Sequence, residues 1–371
     1  MKKISLIVLI ILCFMTACQN EQEQPSPSPL PPSPTATPSP SPSPSPSPSP
    51  SPSPSPSPTP EPKDYNALTG LPVSDLSELA RRPGAVMFNN LKVALPMHGI
   101  SQADIIYETL AEGGITRMLG VFSDIRSIES LGAIRSTRTY FLELALSHDA
   151  VLIHAGASYM AYDEITAWGV TSIDGTRSHS KYFWRDADRL AQHISSEHTL
   201  FTSGENMGKA LDAVVKRQEH NEDFDQKLLF AEDGTPDGGE TSFKIAVPFT
   251  LSKQTFFKYA ESKKLYYVEE YGKEFMDGAA ERQVSVTNVI VIKTEIKPIP
   301  GDSDGRMKIT LTGSGSGFFA CGGRYIPIKW SRGARDSAFI FTDEGGEPLK
   351  LGQGKTFVCI IPDNLTPSFL N

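Results

Sequence analysis

The sequence predicts an α/β N-terminal domain followed by a mostly antiparallel β (α+β) C-terminal domain, after a disordered Ser-Pro linker. Three observations predict this class. Residues 25–60 are almost entirely alternating Ser and Pro, residues 85–217 alternate apolar runs with helical patterns, and residues 243–361 repeat β-branched and aromatic runs between turns. Alternation of strand and helix is typical of α/β layers, whereas strand after strand is typical of antiparallel sheets.

The N-terminal segment is typical of an export signal with a lipid attachment site. Two lysines precede an apolar run at 4–14, which is shorter than the roughly 20 residues of a membrane-spanning helix. The small pair Thr16-Ala17 before Cys18 resembles the lipobox of bacterial lipoproteins, in which the cysteine is diacylated and the leader is removed. We therefore expect a lipoprotein signal peptide at 1–17 and lipidation of Cys18. An ordinary signal peptide cut elsewhere is the alternative.

Residues 18–63 are predicted to be a lipid anchor and a spacer. Proline fixes φ and lacks a backbone donor, so the repeat favours extended polyproline II, with a reach on the order of 110 Å. A proline-rich ligand for an SH3-like domain is the alternative. With a spacer, the protein is expected on the outer face of the cytoplasmic membrane, extending into the cell wall.

Composition and motifs exclude several classes of protein. The 371 residues carry a formal charge of −8, which argues against nucleic acid as a partner. Neither Cys-x-x-Cys nor His-Glu-x-x-His occurs, so no metal and no cofactor is predicted. Outside the leader and Cys18, the cysteines are Cys321 and Cys359. They either form a disulfide or remain free, because the sequence does not tell whether their Cα atoms lie within about 7 Å.

A polar, Gly-rich stretch at 221–241 separates the predicted domains, 64–225 and 240–371. In the first domain, apolar runs predict strands, and apolar residues at helical spacing predict helices. The predicted elements are strands at 85–88, 117–122 and 151–154, a helix at 136–147 capped by Ser136 or Thr137, and a helix at 206–217 opened by Ser203.

In the second domain, β-branched and aromatic runs predict strands, with Gly-rich turns at 313–317 and 343–346. A helix at 252–260 is the one exception that we expect. The predicted strands lie at 243–249, 264–271, 284–294, 307–312, 325–330, 339–341 and 356–361.

Blocks of sequence across the folded part carry a family resemblance. They include Asn-Ala-Leu-Thr-Gly-Leu-Pro-Val at 66–73, Arg-Arg-Pro-Gly-Ala-Val-Met-Phe-Asn-Asn at 81–90, and runs at 99–108, 112–117, 132–138, 154–158, 183–186, 313–315 and 351–356. These blocks resemble the YerB-like lipoproteins of Gram-positive bacteria, a family built from the N- and C-terminal parts of domain of unknown function 3048. The resemblance implies two domains and a lipid anchor, but it implies no reaction.

The sequence departs from the family pattern at two places. Residues 132–135 are Gly-Ala-Ile-Arg, where the family usually has Gly-Pro-Val-Arg, so the arginine is kept. Thr199 follows His198, where an Asn is common. If that Asn supports a site in the family, Thr199 weakens the support in this chain.

Arginines at the start of the predicted helix at 136–147 are the main candidates for ligand binding. Arg135 and Arg138 flank that start, and Arg117 begins a predicted strand. Guanidinium groups beside the free amides of a helix N-terminus favour phosphate or carboxylate. The alternative is a set of structural ion pairs with acidic residues, among them Glu108 and Glu112.

Further polar candidates include His154, which ends an apolar strand and precedes small residues that let a ligand approach the backbone. It is either a proton donor or acceptor for a ligand or a structural histidine. The family resemblance adds Asp174, Arg185 and His198.

Two functional classes remain open. One is a binding or regulatory module of the cell envelope, whose partner is a cell-wall glycan, an anionic polymer or an envelope protein. The other is an enzyme that modifies an envelope polymer, with Arg117, Arg135 and Arg138 stabilising anionic oxygens and His154 or Glu112 moving a proton. The chain has no Gly-x-Ser-x-Gly elbow and no phosphate-binding loop, which favours the binding module.

Overall fold

A computed structural model describes residues 65–73 and 75–371, without the side chain of Glu78. The predicted signal peptide, Cys18 and the Ser-Pro spacer lie outside these residues. The first half contains strands β1 (Gly84–Asn89), β2 (Ile105–Leu110), β3 (Thr116–Phe122), β4 (Leu131–Gly132), β5 (Val151–His154), β6 (Ser172–Asp174), β7 (Trp184–Arg185), β8 (Leu200–Thr202) and β9 (Leu229–Ala231).

Helices are confined to the same half of the described chain. The α-helices are α1 (Ser77–Ala80), α2 (Thr139–Leu146), α3 (Tyr159–Trp168), α4 (Ala187–Ala191) and α5 (Gly204–Val214). Short 3-10 turns lie at Lys92–Ala94, Ile100–Gln102, Glu112–Gly114, Ser180–Tyr182 and Ser196–His198.

The second half consists of strands. They are β10 (Glu240–Thr241), β11 (Lys244–Pro248), β12 (Gln254–Ala260), β13 (Leu265–Glu270), β14 (Lys273–Glu274), β15 (Met276–Asp277), β16 (Arg282–Gln283), β17 (Ser285–Val286), β18 (Asn288–Thr294), β19 (Ile296–Pro298), β20 (Met307–Ile309), β21 (Gly313–Cys321), β22 (Arg324–Arg332), β23 (Ile340–Asp343), β24 (Lys350–Gly352), β25 (Thr356–Pro362) and β26 (Ser368–Leu370). The predicted fold class, α/β followed by mostly antiparallel β, is confirmed for the described residues.

Both halves of the chain contribute to one large sheet. Its strand order is β10-β22-β21-β18-β25-β2-β3-β1-β5-β6, with β23 beside β22. The halves meet where β2 pairs in parallel with β25, so that Glu108 lies opposite Cys359. The predicted domain limits stay a prediction, but strand pairing continues from one half into the other.

A second sheet, with strand order β14-β13-β12-β11-β26 and with β17 beside β13, covers one face of the large sheet. Alternation along β1 separates the two faces. Val86 and Phe88 pack in a core with the second sheet and α5, whereas Ala85 and Met87 pack in a core with α2 and α3. All six residues of β1 are buried, as expected for a strand that is covered on both faces.

The predicted helix at 252–260 is wrong, since this segment forms β12. Thr255 and Phe257 are buried while Lys258 is exposed, which is the two-residue period of a strand. Helix α3 was not predicted. Only Ala161 of its ten residues is buried, so the apolar periodicity that indicates a helix is weak.

The predicted caps have mixed outcomes. Arg138 is the N-cap of α2 and no side chain caps that helix, so capping by Ser136 or Thr137 is wrong. Ser203 does cap α5, because its hydroxyl oxygen accepts a hydrogen bond from the Asn206 amide at 3.2 Å.

The disulfide that the sequence allowed does not form, because Cys321 and Cys359 are both buried free thiols. Cys321 ends β21 and Cys359 lies on β25, with β18 between them. Two strand spacings place their Cα atoms at least about 9 Å apart, beyond the reach of a disulfide. The two thiols also point into different cores, on opposite faces of the sheet.

Candidate functional site

The polar centre of the first half is the Glu112 carboxylate, which is held by two arginines. Arg138 donates to it twice, from Nε to Oε2 at 3.0 Å and from Nη2 to Oε1 at 2.7 Å. Arg117 donates from Nη2 to the same Oε1. Glu112 therefore occupies a guanidinium fork of the kind that binds carboxylate and phosphate.

Local structure explains how this carboxylate reaches the arginines. Glu112 opens a 3-10 turn between β2 and β3, in which Gly113 and Gly114 have φ values of +63° and +75°. Residues with side chains rarely adopt these values, so the two glycines permit the tight turn. Arg117 follows on β3, and Arg138 stands at the start of α2.

The charges in this cluster, Glu112, Arg117 and Arg138, hold one another in place. The Arg117 side chain is 2% exposed, and its Nη1 donates to the Ser136 carbonyl at 2.9 Å. Burial, together with the charge of Arg138, lowers the pKa of Arg117 to about 10 although Glu112 opposes the shift. Burial by itself raises the pKa of Glu112, but Arg117 and Arg138 hold it below its usual value, so the carboxylate stays ionised.

A second group of polar contacts lies beside the Glu112 cluster. Arg135 Nη2 donates to Glu197 Oε2 at 2.7 Å, and Glu197 Oε1 lies 3.3 Å from Nε2 of His198. The other ring nitrogen of His198, Nδ1, lies 2.7 Å from Asn89 Nδ2. Since an amide nitrogen can only donate, His198 carries its proton on Nε2, facing Glu197.

Burial lowers the pKa of His198, and the nearby Arg135 and Arg189 add to the shift, although Glu197 opposes it. The imidazole is therefore neutral near pH 7. Arg135 and Glu197 form a rim beside the Glu112 cluster, where the Glu197 side chain is 48% exposed, whereas His198 behind them is buried. Thr199 donates to the Ser196 carbonyl at 2.9 Å and supports the turn rather than the rim.

His154 and Asp174 form a separate cluster across the β5–β6 pair, where they lie opposite each other. His154 Nδ1 donates to the Gly156 carbonyl at 2.8 Å, and its buried Nε2 has no partner among the described residues. Burial lowers the pKa of His154 despite the nearby Asp174. The ring is therefore neutral, with a free lone pair on Nε2.

Asp174 is held by several donors. Oδ1 accepts from the amides of Gly156 at 3.0 Å and Thr176 at 2.8 Å, and Oδ2 accepts from the Tyr162 hydroxyl at 2.7 Å. Arg177 stacks on the Tyr162 ring, 3.5 Å from its centroid. Burial raises the pKa of Asp174, but the charge that His154 gains when protonated at low pH, together with the hydrogen bonds from Thr176 and Tyr162, outweighs burial and leaves the pKa lowered.

One residue connects the two groups of side chains. The Ser136 carbonyl accepts from Arg117, and the Ser136 hydroxyl donates to the Ala155 carbonyl at 2.8 Å, next to His154. The clusters are thus neighbours through backbone contacts, and the structure records no direct side-chain contact between His154 and the three arginines.

Of the predicted site residues, the structure brings Glu112, Arg117 and Arg138 into direct contact and places Arg135 and His198 beside them through Glu197. Arg185 is exposed and donates to the Ser196 carbonyl, on the turn that carries Glu197. Glu108 is not part of this site. Its side chain lies on the opposite face of the large sheet, where Lys253 contacts it.

Three residues of these clusters, Asn89, Tyr162 and Glu197, were not among the predicted site residues. Glu197 precedes His198 directly and could have been found from that pairing. Asn89 ends an apolar strand, as His154 does, so the same signal applied to it. Tyr162 lies on the unpredicted helix α3, and nothing in the sequence places it against Asp174.

Within residues 65–73 and 75–371, no grouping of His, Cys, Asp and Glu side chains is suited to holding a metal ion. In the same part of the chain, no helix combines the length and apolar character needed to cross a membrane.

The fold and site define a protein in which two sequence segments share a sheet and the first segment carries an arginine-rich polar cluster. The same division is found in a protein family. Residues 68–217 match the family described as "Protein of unknown function (DUF3048) N-terminal domain", and residues 245–358 match its C-terminal domain. The chain belongs to this family, which confirms the resemblance drawn from the sequence blocks.

Two comparisons agree with this assignment. The chain is 29% identical over 299 residues to a Bacillus subtilis (strain 168) protein named "Putative lipoprotein YerB", covering 80% of this chain and 86% of that protein. It also superposes on the crystal structure of the YerB protein from Bacillus subtilis with a TM-score of 0.72 and 27% identity. That match covers 83% of this chain and 99% of the other.

Proposed function

We propose that this chain is a lipid-anchored, extracytoplasmic binding module of the cell envelope. Its ligand carries a carboxylate or phosphate group that takes the place of the Glu112 carboxylate between Arg117 and Arg138. The lipoprotein name borne by the similar Bacillus protein supports the anchor, together with the lipobox-like residues before Cys18. The anchor places the folded part outside the cytoplasmic membrane, where anionic wall polymers are available as partners.

The observation that carries the proposal is the double contact of Arg138 with Glu112, at 3.0 and 2.7 Å, completed by Arg117. A guanidinium fork does not distinguish the carboxylate of a side chain from a carboxylate or phosphate of a ligand. Glu112 is therefore an internal counter-ion, which offsets one of the two positive charges of Arg117 and Arg138 until a ligand replaces it.

The rim supports recognition of a larger anion. Arg135 stands beside the cluster and its partner Glu197 is half exposed, so Arg135 can exchange this partner for a ligand at modest cost. Arg117 also interacts electrostatically with Glu197, so the charges of the rim and of the Glu112 cluster influence each other. Together these residues suit a ligand with more than one anionic group.

The test combines removal of Glu112 with rescue by anions. Glu112→Ala should lower the melting temperature, because Arg117 and Arg138 lose their counter-ion, and inorganic phosphate or pyrophosphate should restore it by binding in the vacated space. Adding Arg138→Lys should abolish the rescue, since an ammonium cannot form the fork. Glu197→Ala is the matched control, and its melting temperature should respond less to phosphate.

Measurements on the wild-type chain test whether an anion can displace the Glu112 carboxylate from Arg117 and Arg138. Pyrophosphate or an anionic wall polymer should raise its melting temperature, and the effect should weaken at high salt. Rescue of Glu112→Ala without any response of the wild-type chain would mean that the arginines serve only to hold Glu112. That result would overturn the proposed function.

A further inference from the structure

A buried group of charged side chains lies between the two sheets, on the face of the large sheet opposite the candidate site. It consists of Glu108 on β2, of Lys253 just before β12, and of Thr255 and Glu270 on β12 and β13 of the second sheet. The four residues are between 0% and 6% exposed. Thr255 and Glu270 face each other across the β12–β13 pair. Two carboxyl groups thus share a buried site with a single ammonium.

The donors of Lys253 are fully used. Its Nζ lies 2.9 Å from Glu108 Oε1 and 3.1 Å from Thr255 Oγ1, and it also contacts Glu270 Oε2. An ammonium has three hydrogens, and each of them has one of these three partners. Lys253 therefore has no hydrogen left for any other contact.

The contacts of Thr255 require one more hydrogen than the ionised side chains supply. Its hydroxyl oxygen lies 2.7 Å from Glu108 Oε2 and 2.7 Å from Glu270 Oε1. A hydroxyl has a single hydrogen and can donate to only one of the two oxygens. The other contact is a hydrogen bond only if that carboxyl group itself carries a proton and donates it to Thr255.

The remaining partners indicate which carboxyl group holds the proton. Glu108 Oε1 also accepts from Asn90 Nδ2 at 2.9 Å and from Thr116 Oγ1 at 2.6 Å, in addition to Lys253. Such a concentration of donors stabilises an ionised carboxylate. Among the recorded contacts, Glu270 accepts from Lys253 at Oε2 and has only the shared hydroxyl at Oε1. Glu270 is therefore the acid.

We propose that Glu270 is an un-ionised carboxylic acid at neutral pH and that its proton, donated to Thr255, is a structural part of the contact between the two sheets. The arrangement leaves one negative and one positive charge in the interior, so the buried group is neutral. This buried group binds a proton. It connects Glu108 on β2, in the first half of the chain, with Thr255 on β12 and Glu270 on β13, in the second half. Release of the proton leaves an uncompensated buried charge and weakens this contact.

The electrostatic surroundings agree with the geometry. Burial and the charge of Glu108 raise the pKa of Glu270 to about 8, although Lys253 opposes the shift. Two other titratable groups face the cluster, and both are neutral at pH 7. Burial raises the pKa of Tyr271 to about 12, and burial with the nearby carboxyl groups raises the pKa of the Cys359 thiol well above its usual value.

The direction of the pH effect follows from these pKa values. In the unfolded chain Glu270 titrates near its ordinary value of 4.5, whereas in the folded chain it titrates near 8. Between these values the folded chain holds a proton that the unfolded chain has released. The contribution to stability is fully present below about pH 4.5 and is lost as the pH rises to about 8.

Glu270→Gln tests the proposal, because a glutamine amide imitates the protonated acid. Its oxygen accepts from Lys253 and its nitrogen donates to Thr255. The denaturant midpoint of the full wild-type chain should fall relative to that of Glu270→Gln as the pH rises from 5 to 9, with the variant the more stable at pH 9. The infrared carbonyl band of a carboxylic acid, present at pH 6, should weaken in the variant.

Glu108→Gln is the matched control. Its amide oxygen can accept from Lys253, Asn90 and Thr116, and its nitrogen can donate to the Thr255 hydroxyl, whose hydrogen is then free for an ionised Glu270. The acid carbonyl band should therefore be lost in this variant too, although Glu270 is still present. Two results would overturn the proposal. One is a difference between Glu270→Gln and wild type that does not change with pH, and the other is an acid carbonyl band that the substitution leaves unaltered.

Discussion

Asn89 and Arg117 lie opposite each other on β1 and β3, so their side chains project from the same face of the large sheet. Asn89 orients His198, and Arg117 binds Glu112. One cross-strand pair therefore carries a residue of each of the two groups of polar contacts in the candidate site. Because β1 and β3 are covered on both faces, both groups are attached to a rigid part of the sheet.

The first prediction concerns how much Arg117 and Arg135 each contribute to the stability of the fold. Arg117→Met should lower the free energy of unfolding by about 3–5 kcal/mol, because the Glu112 carboxylate and the Ser136 carbonyl lose a buried partner. Arg135→Met should cost about 0–1 kcal/mol, since Glu197 is half exposed and remains hydrated. Urea unfolding of both variants measures the difference. An equal loss of unfolding free energy in the two variants would contradict a larger contribution of the buried Arg117 than of Arg135 on the rim.

The second prediction concerns His148, which is buried beneath β2. The Tyr107 hydroxyl lies 2.7 Å from its Nε2, and its Nδ1 lies 3.0 Å from Gln226 Oε1. Burial lowers the pKa of His148 to about 4 from an ordinary value of 6.5.

Since the unfolded chain takes up this proton first, stability should fall as the pH drops from about 6.5 to 4, by about 3 kcal/mol. His148→Gln keeps one donor and one acceptor and cannot titrate. The pH dependence of unfolding should therefore be flatter in the variant over this interval. Parallel curves for the two proteins would contradict the neutral buried histidine.

The third prediction concerns the segment between the two family regions. A Cβ on Gly234 would lie 2.0 Å from the Gly352 amide nitrogen, and backbone atoms of β24 cannot move aside. Gly234→Ala should therefore destabilise the chain by about 1–3 kcal/mol. Gly333→Ala is the control, because the added methyl group meets only Ser337 Oγ at 3.9 Å. Limited proteolysis should cut the Gly234 variant faster at 225–240, and equal rates would contradict tight packing of this segment.

The fourth prediction concerns the lipid anchor. Cys18→Ala should release the protein into the medium or leave the leader uncleaved, because the diacyl group is attached through the thiol. Cell fractionation with a signal-peptide size assay distinguishes these outcomes from the wild type. A Cys18→Ala protein that is cleaved normally and still fractionates with the membrane would contradict lipidation at this residue.

Local patterns in the sequence predicted much of the fold. The apolar run at 151–154 became β5, the helical spacing after Ser136 became α2, and Ser203 became the cap of α5. The helix expected at 252–260 failed because its residues alternate between buried and exposed positions on a sheet. The possible disulfide is absent because β18 lies between the strands that carry the two cysteines. Which strands become neighbours in a sheet is not determined by local sequence.

The sequence by itself determined the class of fold, the family and the arginine-rich start of α2, because periodicity, motif blocks and residue type are read along the chain. Only the tertiary structure decided which charges meet. It placed Glu112 between Arg117 and Arg138, put His154 with Asp174 instead of with the arginines, and moved Glu108 to the opposite face beside Lys253 and Glu270. The physical reason is that side-chain direction alternates along a strand. Glu108 and Arg117 lie on neighbouring strands, and strand register alone directs them to different sides of the sheet.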